Sequence, residues 1–332
     1  MLQNLKAARL RRASGPPAAL ALGLLASGCS LAKMPMLNPV GDVGVDELEL
    51  LKFSALVMAV IVVPIIIGTL WIVWRYRAGA SGGAYDPEFD HSPVIDKFTF
   101  YVPLITIAIL GALTWTYTHR LDPYRVRPGG GIPIPYEIQA VSLDYKWLFI
   151  YPEAGVATVN ELVAPTDRAV TIRITSDPMM TSLFIPGLIS QIYAMTGMET
   201  RANFMAPTPA VFDGANAMYS GPEFYAQRFK TRLVPEQEFT GWLRTVASST
   251  QAADGAKAEG RLDFTRYKDL AKRTKGYPVT YFNAVEPMLF QSIVRQYAPA
   301  YTMNPLPAQT PGTRAAKAAD ASSASHAQHQ GR

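Results

Sequence analysis

The chain has 332 residues, 49% apolar and 17% charged, fewer charges than the roughly 25% of an ordinary soluble domain. Its one cysteine, Cys29, excludes an internal disulfide, a four-thiolate zinc site and a bridged two-thiolate metal centre; its four histidines (His91, His119, His326, His329) leave 121–303 without Cys or His. The net charge of +5 is terminal, carried by Lys6, Arg9, Arg11 and Arg12 at one end and Arg314, Lys317 and Arg332 at the other, which argues against a nucleic-acid partner.

The N-terminus reads as a secretory signal peptide over 1–28: a basic stretch to Arg12, an apolar run over Ala18–Leu25, then Ala26-Ser27-Gly28. Small residues followed by the only cysteine resemble a bacterial lipoprotein cleavage box, which implies lipidation of Cys29 (palmitate among its acyl groups). The alternative is an ordinary signal peptide with an incidental cysteine.

Two uncharged apolar stretches follow, 53–74 and 98–117. At ~1.5 Å rise per residue, each spans the ~30 Å hydrocarbon layer. Lys52 and Arg75 flank the first and Lys97 and Arg120 the second, with Trp71, Trp74, Trp115 and Tyr117 near the ends as interfacial aromatics. Pro64 and Pro103 fall inside, where neighbouring helices absorb the disruption. A two-helix transmembrane hairpin is expected. Acids Asp42, Asp46, Glu47 and Glu49 precede the first span and Arg75 and Arg77 follow it, so the positive-inside rule places the loop at 78–97 in the cytoplasm. Everything after about residue 120 is then expected to be periplasmic, and the lipoprotein resemblance implies a lipid-anchored, multi-pass protein of the bacterial inner membrane.

Residues 121–135, with Pro128-Gly129-Gly130-Gly131, read as a linker. Strands are expected at Tyr136–Val141, Lys146–Tyr151, Ala169–Thr175, Ser182–Ile185, Gln191–Ala194, Thr200–Met205 and Phe229–Val234. Their spacing suggests a β-sandwich or barrel over 136–234. Pro235–Ser249, Asp263–Thr274 and Glu286–Tyr297 read as helices, making 235–303 a helical, aromatic-rich region. The tail 304–332 has almost no large apolar residue and reads as disordered.

This arrangement resembles subunit II of the haem–copper respiratory oxidases, over about residues 25–300. In the cytochrome c branch that subunit is a cupredoxin holding a binuclear copper centre. Its pattern is a His before Ser-x-x-x-Pro, then Gly-x-Cys-x-x-x-Cys-Gly-x-x-His-x-x-Met. Here Ser182-Leu183-Phe184-Ile185-Pro186 fits the first part, with Thr181 at the histidine position. Gly214-Ala215-Asn216-Ala217-Met218-Tyr219-Ser220-Gly221 fits the second. Asn216 and Ser220 stand for the cysteines, Phe224 for the second histidine, Gln227 for the methionine, and Met218 for a magnesium-holding glutamate. Copper there needs bridging thiolates and capping imidazoles, so no copper centre is expected in this chain.

The wording is similar to subunit II of the cytochrome bo-type ubiquinol oxidase: Leu143-Asp144-Tyr145-Lys146-Trp147-Leu148-Phe149-Ile150-Tyr151-Pro152-Glu153, Ser190-Gln191-Ile192-Tyr193-Ala194-Met195 and Tyr219-Ser220-Gly221-Pro222. Where the copper branch has a Trp-aromatic-Trp electron entry, Trp147 matches the first member and Phe149 replaces the second. The resemblance implies a membrane hairpin plus an exported all-β cupredoxin-like sandwich with C-terminal helices. It also implies a non-redox structural subunit of a proton-pumping ubiquinol oxidase in the aerobic respiratory chain. Its partners would be subunit I, further small membrane subunits and the bilayer. No cofactor would sit in this chain; haem, copper and ubiquinol would belong to subunit I.

His91-Ser92-Pro93-Val94-Ile95-Asp96 resembles the family's His-(Ser/Asn)-x-x-apolar-Glu element, whose carboxylate lies at the mouth of a proton-uptake channel. Asp96 is one methylene shorter than that glutamate, and the competing reading is a helix N-cap or first-turn acid. Met179, Met180, Met195, Met198, Met205 and Met218 read as core packing, the alternative being a thioether Cu(I) site. Lys268 reads as exposed rather than catalytic, and His326 and His329 as tail residues. Two rival functions remain at this level: a membrane-tethered copper-delivery or oxidase-assembly protein, and an electron-carrying cytochrome c oxidase subunit, which lacks its ligand set here.

Overall fold

The computed structural model describes residues 34–77, 88, 90–125, 127, 134–248 and 257–297. The expected signal peptide, Cys29, parts of the loop and linker segments (78–87, 89, 126 and 128–133), and the tail with His326 and His329 lie outside the described residues. The chain divides into two units, Met1–Asp122 with Pro186–Leu188, and Pro123–Ile185 with Ile189–Arg332.

The first unit is a pair of long helices, α1 (Asp42–Arg75) and α2 (Pro93–Arg120). Both outrun their apolar stretches because polar flanks such as Asp42–Lys52 continue the helix beyond them. Pro93 at the start of α2 has no N–H to leave unsatisfied and a φ already suited to a helix. None of the most apolar window of either helix is buried within the chain. Water would not tolerate so many bare Val, Ile, Leu and Phe side chains, whereas lipid does. The hydroxyls of Thr69, Thr106, Thr114 and Thr116 donate to carbonyls four residues back at 2.7–2.9 Å, so these polar groups are satisfied within their own helix.

Arg120 joins the helices through ion pairs. Arg120, in the last turn of α2, meets the buried carboxylate of Asp46 in α1 at 2.6 Å and approaches Glu49 at 4.0 Å. Before α1, the Val40 and Gly41 N–H groups donate to Gly187 O at 3.0 and 3.1 Å. A Cβ on Gly41 would lie 2.5 Å from Leu188 O, so that close approach requires glycine.

The second unit is a two-sheet β-sandwich with two helices on one outer face and a third against strands of both sheets. Its strands, in chain order, are β1 (Tyr136–Leu143), β2 (Lys146–Tyr151), β3 (Val156–Val159), β4 (Glu161–Pro165), β5 (Val170–Ser176), β6 (Thr181–Ile185), β7 (Ile189–Ala194), β8 (Thr200–Phe204), β9 (Ala210–Asn216), β10 (Arg228–Val234), β11 (Lys257–Leu262) and β12 (Thr280–Val285). The helices are α3 (Glu236–Ser248), α4 (Phe264–Ala271) and α5 (Leu289–Tyr297). The larger sheet has the order β11-β12-β3-β2-β1-β5-β8 and the smaller β4-β10-β9-β6-β7.

Every residue of β2 is buried. Trp147 and Phe149 face Phe229 of β10, with ring centroids 5.7 and 5.0 Å from it. Leu148 and Ile150 point the other way, into a cluster with Leu262, Tyr267, Leu270, Phe282, Phe290 and Ile293. One strand thus serves two cores, which is why its sequence is a continuous apolar run after Lys146 rather than an alternation. Gly214 of β9 makes room for the first core: a Cβ there would lie 2.1 Å from the Phe229 ring.

The fold class expected from the sequence is observed, with two corrections. The expected strands omit β3 and β4, which are short, β9 and β12, interior strands whose apolar pattern is broken by Asp213-Gly214 and by Asn283, and β11, a polar sheet edge, Lys-Ala-Glu-Gly-Arg-Leu, without alternation. The region 235–303 is therefore not helical alone. β12 pairs antiparallel with β3 and carries β11 with it, so this region extends the larger sheet before α4 and α5 cover it.

The hairpin clasp yields a test. Arg120→Met removes the 2.6 Å partner of a buried carboxylate and is expected to cost about 2–3 kcal/mol, below the 3–5 of a pair buried on both sides, because Arg120 is half exposed. Adding Asp46→Asn is expected to restore more than half of the loss, read from thermal unfolding in detergent. Additive losses in the double variant would contradict the pairing.

Candidate functional site

The positions matching the copper ligands lie at one end of the smaller sheet and in the loop after it. Asn216 closes β9, Ser220 sits in the following turn, Phe224 opens a 3-10 turn over Phe224–Ala226, and Gln227 leads into β10. Thr181 opens β6.

Asn216, Ser220 and Gln227 converge in a buried hydrogen-bonded cluster. Asn216 Nδ2 donates to Ser220 Oγ at 2.8 Å and to Gln227 Oε1 at 3.0 Å. Asn216 Oδ1 accepts from the Ser182 and Met218 N–H groups, both at 3.0 Å. That amide has two donors and two lone pairs, and all four are used. Gln227 Nε2 donates to Ser142 Oγ at 2.7 Å, Leu143 O at 3.1 Å and Lys146 O at 3.3 Å. The side chains of β9 and of the 217–227 loop are thereby tied to the β1–β2 hairpin of the other sheet.

The remaining two positions do not join the cluster. Thr181 is buried, and its Oγ1 has no partner among the described residues. Phe224 packs edge-to-face on Tyr219 at 5.2 Å. Ser142 and the Leu143 and Lys146 carbonyls were not visible as site residues in the sequence, since they lie about 80 residues from Gln227 and act partly through the backbone.

The donor set does not fit a copper centre. Copper needs thiolate or imidazole lone pairs directed at one point. Here the side-chain amide nitrogens of Asn216 and Gln227 carry hydrogens, and the amide oxygens of both already accept N–H donors. A cation placed among these groups would face the positive ends of N–H dipoles. Among the described residues, no three His, Cys, Asp or Glu side chains are grouped to hold a metal.

Around the cluster runs a shell of strained and charged residues. Tyr145, in the two-residue turn between β1 and β2, has φ +65°, a left-handed conformation costly for a bulky side chain. Its hydroxyl accepts from Arg273 at 3.3 Å and lies 2.6 Å from where a Cβ on Gly221 would stand. Gly221 itself has φ +114°. Arg273 and Lys275 approach Glu223 at 3.9 and 3.5 Å, and Lys275 Nζ lies 3.2 Å from Tyr225 Oη. The segment after α4 therefore braces the 217–227 loop from outside.

Elsewhere, Asp96 is the fourth residue of α2, with Ser92 as the N-cap. It is an exposed first-turn acid and not the cap, and His91 pairs with Asp90 at 3.3 Å instead. Lys268 is exposed, over the Phe264 ring at 4.9 Å. The methionine expectation is corrected: none of the six lies in the buried core, and Met180 and Met198 are exposed. They fall in strand ends and loops, where the sequence shows apolar residues but not the inward face. A second carboxylate is fully employed: Asp177 accepts from Tyr267 at 2.5 Å and Tyr297 at 2.6 Å, which ties α4 and α5 to the turn after β5. Burial and that carboxylate together raise the Tyr267 phenol far above its ordinary range.

Removing the amide at the hub should be expensive. Asn216→Ala deprives two backbone N–H groups and Gln227 of their partners and is expected to cost about 2–3 kcal/mol in chemical denaturation. A loss below about 0.5 kcal/mol, the range of neutral surface changes, would contradict a structural role for the cluster.

Comparison with known proteins places this geometry. A family model described as COX Aromatic Rich Motif matches residues 257–300, the segment that supplies β11, α4, β12 and α5. The chain is 45% identical over 278 residues to the cytochrome bo(3) ubiquinol oxidase subunit 2 of Pseudomonas aeruginosa, covering 84% of this chain and 80% of that one. It is 38% identical over 296 residues to the ubiquinol oxidase subunit 2 of Acetobacter aceti, covering 89% and 91%. Among solved structures, the periplasmic domain of subunit II of cytochrome oxidase from Bradyrhizobium japonicum aligns at 21% identity and a TM-score of 0.33, over 34% of this chain and 95% of that one. On the strength of the first two relatives, this chain belongs to the ubiquinol oxidase subunit 2 family.

Proposed function

We propose that this chain is the non-redox, structural subunit 2 of a proton-pumping ubiquinol oxidase. The observation that carries the reading is the Asn216–Ser220–Gln227 cluster: hydrogen bonds close the loop at the positions where an electron-carrying relative would need copper ligands. Family membership supports the rest. Ubiquinol oxidation, oxygen reduction, haem and copper belong to a partner subunit I, with further small membrane subunits completing the complex. This chain docks by its hairpin and presents its sandwich on the periplasmic side of the inner membrane. Cys29 carries lipid, which adds a second anchor to the hairpin.

Chemically, the chain's own residues then position rather than react. Asn216 and Gln227 fix the 217–227 loop against the β1–β2 hairpin. The Trp147–Phe149–Phe229 stack fills the space between the sheets. Asp96 is the one membrane-boundary carboxylate to which we assign transport chemistry: exposed at the start of α2, it collects protons and passes them to a water chain in subunit I.

Affinity purification of the chain from detergent-solubilised membranes is expected to bring a haem-containing subunit and ubiquinol-dependent oxygen uptake with it. Recovery of the chain alone, without haem absorbance, would contradict the assignment. In the assembled oxidase, Asp96→Asn is expected to slow turnover severalfold while Asp96→Glu keeps the wild-type rate. Unchanged turnover and pumping in Asp96→Asn would reduce that residue to a partner of the helix dipole.

A further inference from the structure

Lys146 begins β2 with no exposed surface, and among the described residues no carboxylate forms an ion pair with it. Its Nζ donates to Lys272 O at 2.7 Å, a carbonyl that also accepts from Thr274 Oγ1 at 3.0 Å. The ammonium lies 5.3 Å from the centroid of the Tyr277 ring, whose own carbonyl is held by Asn160 Nδ2 at 2.8 Å. An ammonium has three donors, and one carbonyl and a ring face are a thin replacement for its hydration shell. The segment it grips, Lys272–Tyr277, is the same one that reaches Tyr145, Glu223 and Tyr225 beside the 217–227 loop.

We propose that Lys146 is a proton-linked latch for the aromatic-rich C-terminal segment: with Nζ neutral the segment 272–277 closes tightly on β2, and proton binding favours an open form in which the ammonium is hydrated. The charged groups on the surrounding elements are few. Asp144, in the β1–β2 turn, favours the protonated form, and one of its carboxylate oxygens is buried without a partner among the described residues. On the segment itself, Lys272 is paired outward with Asp269 at 2.7 Å, while Arg273 and Lys275 face Glu223. Tyr145, Tyr225 and Tyr277 are the neighbouring phenols. Burial outweighs Asp144 and lowers Lys146 from 10.5 to about 8. The open form, like an unfolded chain, holds its proton up to the higher value. Closure therefore gains as pH rises from about 8 toward 10.5 and gains nothing below 8.

Tryptic cleavage after Lys272, Arg273 and Lys275 in the full chain in detergent reads this equilibrium, each rate being normalised to a free peptide of the same sequence. Cleavage is expected to be flat between about pH 6.5 and 8, then to slow by up to about tenfold per pH unit above 8. Lys146→Met is expected to be slow throughout, and Lys146→Arg, charged at every pH, fast throughout. A wild-type rate that is flat to about pH 9.5, or the same pH response in either variant, would overturn the latch. Should Lys146→Met fail to fold, Lys146→Arg decides alone.

Discussion

The structure depends on burying strand β2 on both faces. Trp147 and Phe149 pack toward Phe229 in the space between the sheets, and Leu148 and Ile150, beside Phe282 of β12 in the same sheet, pack against α4 and α5. A two-sheet sandwich leaves its outer faces to water. Here one outer face is apolar and has to be covered, and the helices that cover it, α4 and α5, come from the aromatic-rich region. Its helices are short, so they gain stability from the face they bury more than from their own hydrogen bonds. The tyrosine pair on Asp177 and the contact of Lys146 with Lys272 O fasten that cover at two separate places.

The same strand reaches the cluster. Lys146 O and Leu143 O, on either side of the β1–β2 turn, accept from Gln227, so the loop that carries Ser220 and Gln227 is anchored to the strand that organises both cores. A metal would hold such a loop through strong directional bonds to a few side chains. An Asn with all four hydrogen-bonding positions used, and a Gln sharing three acceptors, hold it through several weaker bonds that are also directional. In a buried site this network is stable only when complete, since any group left unpaired carries its full desolvation cost. The 217–227 loop is thus held by residues that satisfy one another.

Much of this was legible in the sequence, for identifiable reasons. The membrane helices are marked by the lack of charge over Phe53–Trp74 and Phe98–Tyr117, though their true ends, Asp42 and Arg120, lie in polar turns that periodicity does not bound. Strand β2 was visible because burial on both faces writes an apolar run. Strands β11 and β9 were not, because an exposed edge and a strand interrupted by Asp213 and Gly214 look like loops. At the site, spacing located Asn216, Ser220 and Gln227 but could not show that they bond to one another while Thr181 and Phe224 stand apart. Nor could it show Ser142, whose role arises from pairing across sheets. Lys146 reads as an ordinary polar strand start; only the cover over β2 reveals it as a buried amine.

The most direct measurement of the central claim is copper content. The purified chain, truncated after residue 303 to remove His326 and His329, would be loaded with copper, desalted and analysed for metal alongside its visible spectrum and melting temperature. The hydrogen-bonded cluster predicts no stoichiometric copper, no charge-transfer absorption and a melting temperature indifferent to chelator. One or two coppers held per chain, about the occupancy of a genuine mono- or dinuclear site, and lost on Asn216→Ala or Gln227→Ala, would contradict it.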